Sequence, residues 1–234
     1  LRRLTLLVNP SSGRGRAGRL LAGVRDRLAL ALPHTLVDVV RTIDYSHAQR
    51  VAASVVGSAR RGDALAVMGG DGMAAIGHNA CGGTWVPLGV IPAGTGNDFA
   101  RGAGIPGSIR EAVEALVRGR TRIIDLSRLT NAEGDRYIGA VVSSGYDARV
   151  NRSTNDIRLR LGALSYGYIA LRELAAFSPL SYRVTIDDKS FATPFIFIGN
   201  NRYKLDDIGT TERTRLDEGV LTVYIAKTRS RFTL

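Results

Sequence analysis

The sequence has little cysteine, few aromatic residues and no long apolar run. Cys81 is the single cysteine in 234 residues, which excludes an internal disulfide framework and is typical of a protein in a reducing cytoplasm. Apolar runs such as residues 4–8 and 195–198 have the length of strands and are far too short to cross a membrane. The first of them is also too short for a secretory signal peptide, so we expect none.

The scarcity of aromatic residues also bears on the partners of the chain. Aromatic residues make up 6% of the sequence and do not alternate with its arginines, so the stacking surfaces of nucleic-acid-binding modules are poorly supported. We therefore expect no nucleic-acid partner. His34, His47 and His78 show no metal-ligand spacing with Cys81, and each is expected at the surface or in a loop. Neither a P-loop nor a G-x-S-x-G motif occurs.

Positive charge is abundant on an otherwise ordinary globular composition. The 32 Lys and Arg residues against 21 Asp and Glu residues give a net charge of +11, while 44% of the residues are hydrophobic. Such a charge is compatible with anionic lipid headgroups or with a polyphosphate substrate. The alternative is a basic surface without a specific partner, and composition alone leaves this choice open.

The first half of the chain alternates strand and helix patterns. Strand patterns occupy 4–8, 36–40, 63–68 and 87–91, and segments with helical spacing lie within 17–28, 48–59, 73–80 and 108–117. We expect Ser46 to cap the second helix, and Ser108 with Glu111 to form a capping box for the fourth. This alternation predicts right-handed βαβ units around a parallel sheet, in a domain that covers residues 1–119.

Beyond residue 119 the pattern becomes rich in strands. Strand patterns occupy 121–128, 136–144, 181–187, 193–199 and 219–226, and one long helix is predicted over 159–177. The sequence therefore predicts an α/β protein with a second, β-rich domain over residues 120–234. Because the chain starts without methionine and stops just after a strand pattern, we expect a fragment truncated at its C-terminus.

Three polar, glycine-rich loops follow predicted strands, at 9–16, 69–73 and 92–98. Ligands of open parallel sheets bind beyond the carboxyl ends of the strands. In the second loop, Gly69-Gly70-Asp71-Gly72, main-chain N–H groups at a helix start could hold phosphate oxygens. Asp71 would repel phosphate unless Mg²⁺ lay between them, so it is predicted to bridge through metal or water, or to act as a base. The alternative is a tight turn with an aspartate helix cap.

The third loop, Gly94-Thr95-Gly96-Asn97-Asp98, adds polar side chains at the same edge of the predicted sheet. Thr95 offers a hydroxyl group to phosphate or metal. Asn97 and Asp98 either contact the ligand or cap the helix that follows. Both interpretations stay open for Asp98.

Taken in order along the chain, these loops resemble the diacylglycerol kinase catalytic-domain family, which includes bacterial lipid kinases and sphingosine kinases. The resemblance rests on Asn9-Pro10-Ser11-Ser12-Gly13-Arg14-Gly15, on Gly69-Gly70-Asp71-Gly72, and on the stretch from Pro87 to Arg101 that contains Gly94-Thr95-Gly96-Asn97-Asp98. Weaker matches continue at Ile124-Asp125, Gly199-Asn200 and Leu216-Asp217-Glu218-Gly219.

The resemblance implies an ATP- and Mg²⁺-dependent kinase that phosphorylates a lipid hydroxyl group, most simply that of diacylglycerol. It makes the first domain nucleotide-binding and the second the lipid-substrate domain, with the nucleotide between them. It implies Asp71, or a carboxylate in a missing tail, as the catalytic base, and Glu218 with Asp217 as ligands of a structural Mg²⁺. The nucleotide-binding residues that follow from the three loops and the resemblance are Asn9, Ser12, Gly13, Thr42, Gly69, Gly70, Gly72, Gly94, Thr95 and Asn97.

The implied partners are a lipid substrate and an anionic membrane surface, and a homodimer is compatible with the sequence. We expect a cytoplasmic protein that lies peripherally at the inner face of the membrane.

Some features depart from the family and keep other functions open. Met73, Ala75 and Ile76 stand where members of the family carry polar residues, so a catalytically inactive lipid- or nucleotide-binding relative is one alternative. An enzyme resembling NAD kinase, which shares the Gly-Gly-Asp-Gly loop, is another. A dinucleotide fold is a third, because the spacing from Gly13 to Gly18 fits G-x-G-x-x-G and Asp38 follows about 20 residues later.

Overall fold

A computed structural model describes residues 1–144, 182–193, 196–200 and 216–225. Its first part alternates strands and helices as predicted. The elements are β1 (Arg3–Val8), α1 (Ser12–Ala31), β2 (Leu36–Arg41), α2 (Tyr45–Gly57), β3 (Asp63–Gly69), α3 (Asp71–Cys81), β4 (Leu88–Pro92), α4 (Asp98–Gly102) and α5 (Ile109–Arg118). The helix predicted over 159–177 lies outside the described residues.

The four strands form one parallel sheet in the order β2-β1-β3-β4. Strands β1 and β3 are central, and both are almost completely buried, which is why they read as continuous apolar runs in the sequence. Val8 pairs with Arg41 on one side and with Met68 on the other, while Gly69 pairs with Pro92. The strands therefore end level with one another, and the loops that follow them emerge at one edge.

Helices cover both faces of this sheet. Alternate residues of a strand point to opposite faces, so Leu4, Leu6 and Val8 pack in a core cluster with α1 and α5, whereas Leu7 packs in a second cluster with α2, α3 and α4. The result is a sheet between two helical layers, with its carboxyl edge left free for the loops.

The helix caps agree with the sequence at one position and differ at another. Ser108 Oγ accepts a hydrogen bond from Glu111 N at 3.2 Å, so the predicted cap of α5 is confirmed. The prediction of Ser46 as the cap of α2 is wrong. Asp44 is the cap, because its extended backbone lets Oδ1 accept a hydrogen bond from His47 N at 2.7 Å. Ser46 already lies within the first turn.

The rest of the described chain is rich in strands, and the predicted fold class, α/β followed by a β-rich region, is confirmed. Its strands are β5 (Ser127–Asn131), β6 (Gly134–Ile138), β7 (Val141–Ser144), β8 (Tyr182–Ile186), β9 (Lys189–Thr193), β10 (Ile196–Gly199) and β11 (Thr222–Ile225). Strands β7, β10 and β11 form an antiparallel sheet in the order β11-β10-β7, and β5-β6 and β8-β9 are two-stranded ribbons.

Several strands of this region differ from the prediction. The strand predicted over 219–226 begins only at Thr222, and β9 was not predicted. The strand predicted over 121–128 begins only at Ser127. The strand predicted over 136–144 is two strands, β6 and β7, separated at residues 139–140. At the break, Gly139 lies against the ring of His78: a Cβ atom placed on Gly139 would lie 2.5 Å from His78 Cε1. This tertiary contact lies at the point where β6 and β7 are separated.

The chain divides into two compact units. One consists of Leu1–Ala140 with Asn200–Gly219, and the other of Val141–Gly199 with Val220–Leu234. The predicted boundary between residues 119 and 120 stays a prediction. Among the described residues, no helix combines the length and the apolar character needed to cross a bilayer.

Candidate functional site

The loops that follow β3 and β4 touch each other through two glycines. A Cβ atom placed on Gly94 would lie 2.4 Å from Gly70 Cα, and one placed on Gly70 would lie 3.2 Å from Gly94 Cα. The first distance is far below van der Waals contact, so a side chain at Gly94 would force the two loops apart. Ala93 N also donates a hydrogen bond to Gly69 O at 2.8 Å. Glycine is therefore required at this crossing.

The loop after β1 joins the same surface. Asn9 N donates to Met68 O at 3.1 Å, and a Cβ atom placed on Gly13 would lie 2.3 Å from the carbonyl oxygen of Ala93. Ser12 Oγ lies 3.0 Å from the position that a Cβ atom on Gly69 would take. The three loops predicted to meet thus form one continuous surface, within one of the two units.

The polar groups of the 9–16 loop are partly used to build the loop itself. Asn9 Oδ1 accepts a hydrogen bond from Ser11 N at 3.0 Å, and Asn9 O accepts one from Ser12 N at 3.1 Å. Gly13, Arg14 and Gly15 then take left-handed backbone angles before α1 continues regularly. Asn9 therefore shapes the loop, whereas the Ser12 hydroxyl group faces the neighbouring Gly69 loop.

Helix α3 begins at the centre of this surface without a side-chain cap. The N–H groups of a first helical turn have no partner within the helix. Gly72 is exposed, and a Cβ atom placed on it would meet no atom within 4 Å. The amides of Asp71 and Gly72 thus lie at an open, electropositive helix end, which is the arrangement that binds phosphate groups.

The Asp71 carboxylate links this helix end to the loop after β4. Its Oδ1 accepts a hydrogen bond from Phe99 N at 3.1 Å, in the first turn of α4. Its Oδ2 lies 2.9 Å from the position of a Cβ atom on Gly96. Asp71 is half-buried and is the first residue of α3, whose N-cap is Gly70, so the alternative of Asp71 as the cap of its own helix is wrong. Its carboxylate instead bonds to the first turn of α4.

The loop at 92–98 is held by its own side chains. Asn97 Oδ1 accepts from Gly94 N, and Asn97 Nδ2 donates to Gly94 O, both at 2.9 Å. Arg101 Nη1 donates to Gly96 O at 2.8 Å, and the same guanidinium forms an ion pair with Asp98. The Asn97 amide, predicted to bind the ligand, is therefore occupied within the loop. Thr95 is exposed at the tip, where its hydroxyl group is available.

Thr42 lies at the carboxyl end of β2, beside the end of β1. Its N and its Oγ1 both donate to Val8 O, at 2.8 Å and 3.1 Å. Its side chain is buried. Thr42 therefore lies at the carboxyl edge of the sheet, as predicted. Its hydroxyl group already donates a hydrogen bond that links the end of β2 to the end of β1.

The three weak motif matches in the second half come together around Asp125. Asp125 Oδ2 accepts from Gly219 N at 2.7 Å, and Asp125 N donates to Leu216 O at 2.6 Å. Asn200, which is buried, donates from Nδ2 to Asp125 O. The sequence pattern marks Ile124-Asp125 only as a weak match and predicts no role for Asp125, whereas in the structure Asp125 organises this turn.

The predicted metal ligands Asp217 and Glu218 are exposed in the same turn. Among the described residues, no three His, Cys, Asp or Glu side chains are grouped so that they could hold a metal ion. Two carboxylates alone do not complete the oxygen shell of Mg²⁺, which takes six ligands. A metal here would need main-chain carbonyl groups and water as well, so this site stays a prediction.

His78 was expected at the surface or in a loop, and this expectation is wrong. It is 4% exposed, and its ring lies against that of Phe99, with centroids 4.1 Å apart. Neither ring nitrogen has a hydrogen-bond partner among the described residues. Burial lowers the pKa of His78 to about 4, although the Asp71 charge opposes the shift. Its spacing with Ala74 and Cys81, which share the buried face of α3, was the signal that could have placed it inside.

Two other residues that could suggest a different chemistry have structural positions. Burial raises the pKa of the Cys81 thiol to about 11, so it stays protonated and is a poor nucleophile. Asp38, required by a dinucleotide fold, lies in the first half of β2 and pairs with Arg3 at 3.1 Å. It is remote from the carboxyl edge, which argues against that alternative.

Comparison with known proteins gives two family matches and a set of relatives. The family "Diacylglycerol kinase catalytic domain" matches residues 3–129, and "YegS C-terminal NAD kinase beta sandwich-like domain" matches residues 140–234. A protein of Mycobacterium tuberculosis (strain CDC 1551 / Oshkosh) named "Diacylglycerol kinase" is 34% identical over 98% of this chain and 74% of its own length. A protein of Xanthomonas oryzae pv. oryzae named "Probable lipid kinase YegS-like" is 30% identical over 67% of this chain and 54% of its own length.

A solved structure supports the fold. The crystal structure described as that of a diacylglycerol kinase from Bacillus anthracis str. Sterne has a TM-score of 0.70 at 22% identity. The match covers 99% of this chain and 76% of that one. The resemblance drawn from the three loops is confirmed by the family matches and the relatives.

The close contact between Gly70 and Gly94 predicts that adding a single methyl group at position 94 destabilises the fold. Gly94→Ala should lower the free energy of unfolding by about 1–3 kcal/mol, because the loops must separate to admit the Cβ atom. Urea denaturation followed by circular dichroism measures this difference. The control is Gly23→Ala in α1, where an added Cβ atom would meet no other atom within 4 Å. This control should be neutral or slightly stabilising, and equal destabilisation by both substitutions would contradict the proposed crossing.

The buried imidazole predicts a pH dependence of stability. Its pKa is about 4 in the folded chain against 6.5 ordinarily, so between these values only the unfolded chain binds the proton. The free energy of unfolding should therefore fall as the pH drops from about 6.5 to about 4, by about 3 kcal/mol from this residue. Urea denaturation across that range measures the slope.

Two histidine variants distinguish the contribution of His78 to the pH dependence of stability from that of the other titrating groups. His78→Leu should remove this part of the pH dependence, whereas His34→Leu, at an exposed position, should retain it. A wild-type slope in the His78 variant would show that the imidazole does not titrate as its burial requires.

Proposed function

Since the chain belongs to the diacylglycerol kinase catalytic-domain family and is an ATP-dependent lipid kinase, we propose that its acceptor is diacylglycerol and its product phosphatidic acid. The name of the Mycobacterium tuberculosis relative supports this acceptor, because that protein is 34% identical over nearly the whole chain. The reaction would form a bond between the lipid hydroxyl oxygen and the γ-phosphorus while the bond from that phosphorus to ADP breaks.

The observation that carries the proposal is the convergence of three loops on the open N-terminus of α3. The amides of Asp71 and Gly72 would hold phosphate oxygens, and the hydroxyl groups of Ser12 and Thr95 would add hydrogen bonds from the flanking loops. This arrangement of the loops around a phosphate group depends on glycine at positions 70 and 94, where a Cβ atom would separate the two loops.

Positive charge beside this surface supports the same ligand. Arg14 and Arg16 are exposed in the loop after β1, and within the described ranges neither forms an ion pair. In our proposal these guanidinium groups neutralise part of the phosphate charge. Arg101 has a different role, because it is already bound to Gly96 and Asp98.

The role proposed for Asp71 is that of the base. Its carboxylate would accept the proton of the lipid hydroxyl group as the oxygen attacks, and its bond with Phe99 N would hold it in place. A carboxylate from a segment of the protein outside this chain is the alternative base. The proposed Mg²⁺ would neutralise phosphate charge near Asp71, where a bare carboxylate repels phosphate. Asp217 and Glu218 remain the proposed ligands of a separate structural ion.

The kinase assay of Asp71→Asn tests this role. The variant should lose most of the turnover, because the amide cannot accept the proton, whereas its unfolding midpoint should change little since the amide oxygen can still accept from Phe99 N. Phosphate transfer from labelled ATP to diacylglycerol in mixed micelles with Mg²⁺ measures turnover. Asp26→Asn, at an exposed position of α1, is the control. Wild-type turnover in the Asp71 variant would refute its role as base, and an inactive wild-type chain that still binds ATP would favour the inactive relative.

We also propose that the basic surface holds the enzyme at anionic membranes, where its lipid substrate lies. The support is the net charge of +11, since each basic residue near an anionic surface contributes about 1 kcal/mol. Sedimentation with phosphatidylglycerol vesicles should show binding that weakens as salt rises from about 0.05 M to about 0.5 M, because salt screens the attraction. Phosphatidylcholine vesicles serve as the uncharged control. Affinity for anionic vesicles that is independent of salt would exclude the electrostatic proposal.

A further inference from the structure

A small cavity lies at the amino edge of the parallel sheet, between β1, β3 and the end of α2. Its volume is about 40 Å³, which is room for about three particles of the size of water. The polar residues in its wall are Arg3, Thr5, Ser58 and Asp63, and the other residues of the wall are apolar. Asp63 and Gly69 are the two ends of β3, so the cavity lies about 20 Å from the phosphate-binding loops.

The Asp63 carboxylate in this wall has one bonded oxygen and one oxygen without a partner. Oδ2 forms an ion pair with Arg2 and accepts a hydrogen bond from Arg60 N at 2.9 Å. This bond from Arg60 N lowers the pKa of Asp63, so the carboxylate is ionised at neutral pH. Oδ1 is buried and has no hydrogen-bond partner among the described residues, and Asp63 as a whole is 7% exposed. Such an oxygen is costly unless a donor or a cation meets it.

The end of α2 adds negative potential beside the same cavity. Val55, Ser58 and Ala59, which belong to its wall, lie in the last turn of α2 or directly after it. No basic residue lies in that last turn, so the side chains of the turn do not compensate the negative end of the helix dipole. Ser58 Oγ donates its proton to Ser54 O at 2.7 Å, which leaves its own oxygen able to accept a hydrogen bond or to contact a cation.

The charges around the cavity limit the charge of an occupant. Arg3 Nε is paired with Asp38 Oδ2 on β2 at 3.1 Å, and Arg2 is paired with Asp63 Oδ2. The two arginines thus balance the two carboxylates, and the free Asp63 Oδ1 and the helix end remain. An anion is excluded by these lone pairs. Mg²⁺ and Ca²⁺ take six or more oxygen ligands and favour several carboxylates, so a single shared carboxylate does not suit them.

We propose that this cavity binds one monovalent cation of the size of K⁺, held by Asp63 Oδ1, the hydroxyl oxygens of Thr5 and Ser58, and water. Neutral oxygen atoms can replace the hydration shell of such an ion. The ion would join β1, β3 and α2 and stabilise the fold without contact to the phosphate-binding loops, so this inference does not depend on the proposed function. Water alone is the rival occupant, but it would leave the negative potential of the carboxylate oxygen and the helix end without a compensating charge.

The experiment measures urea unfolding through the fluorescence of Trp85, the single tryptophan of the chain, which directly precedes Val86 in the wall of the cavity. Raising K⁺ from about 1 mM to about 100 mM should raise the ratio of folded to unfolded chain about tenfold, the effect of a Kd of about 10 mM. Tetramethylammonium keeps the ionic strength constant, because its methyl groups hold its charge away from oxygen ligands.

Variants of the wall locate the response. Asp63→Asn should abolish the dependence on K⁺, and its loss of the ion pair with Arg2 lowers stability equally at both K⁺ concentrations. Thr5→Val leaves that ion pair intact and should reduce the response to about twofold, as expected if loss of one ligand raises the Kd tenfold to about 100 mM. Asp26→Asn, at an exposed carboxylate of α1, is the matched control and should respond as the wild type does.

Three results would overturn the cation site. Identical unfolding curves of the wild type in K⁺ and in tetramethylammonium would assign the cavity to water. An undiminished response in Asp63→Asn would place the ion elsewhere. Crystals of the wild type soaked in Tl⁺ should show an anomalous peak in the cavity, and its absence would reject the site even if the variants fail to fold. None of these results bears on the proposed kinase reaction, which is tested at the opposite edge of the sheet.

Discussion

The contact between Gly70 and Gly94 is the constraint on which the arrangement of the site depends. These residues follow adjacent parallel strands, and their backbones approach so closely that neither tolerates a side chain without movement. The approach leaves the first turn of α3 open between two loops that would otherwise be held apart by their own side chains. Among the described residues, no side chain caps the main-chain amides of that turn, which is the arrangement that suits a phosphate group.

Around this contact, several polar side chains form hydrogen bonds within and between the loops and are therefore not free to bind a ligand. Asn97 binds the backbone of Gly94 with both ends of its amide, and Arg101 binds Gly96 and Asp98. Asp71 is bonded to Phe99 N, whose ring in turn packs against His78. These bonds hold the loops in one arrangement, and a preorganised surface would lose less entropy when a ligand binds.

Much of this fold was predictable, and the errors have identifiable causes. Apolar periodicity predicted β1 to β4 and the helices between them, because each strand and helix buries one face in a shared core. The cap of α2 was misassigned because Asp44 and Ser46 are both good caps, and only the extended backbone of Asp44 decides between them. The position of His78 was missed because histidine is polar, although its spacing with Ala74 and Cys81 places it on the buried face of α3. The break between β6 and β7 lies where Gly139 meets that same ring, a contact between residues far apart in the chain.

By itself, the sequence determined which residue types stand at the ends of the strands, and hence that glycine loops and Asp71 would share one edge of a parallel sheet. This follows from local physics, since strand direction and hydrophobic spacing are encoded along the chain. Only the tertiary structure decided which of these groups are free and which are already bonded. That division depends on contacts between residues far apart in the chain, such as Asp71 with Phe99 and Asp125 with Gly219, and no local pattern specifies the distance between them.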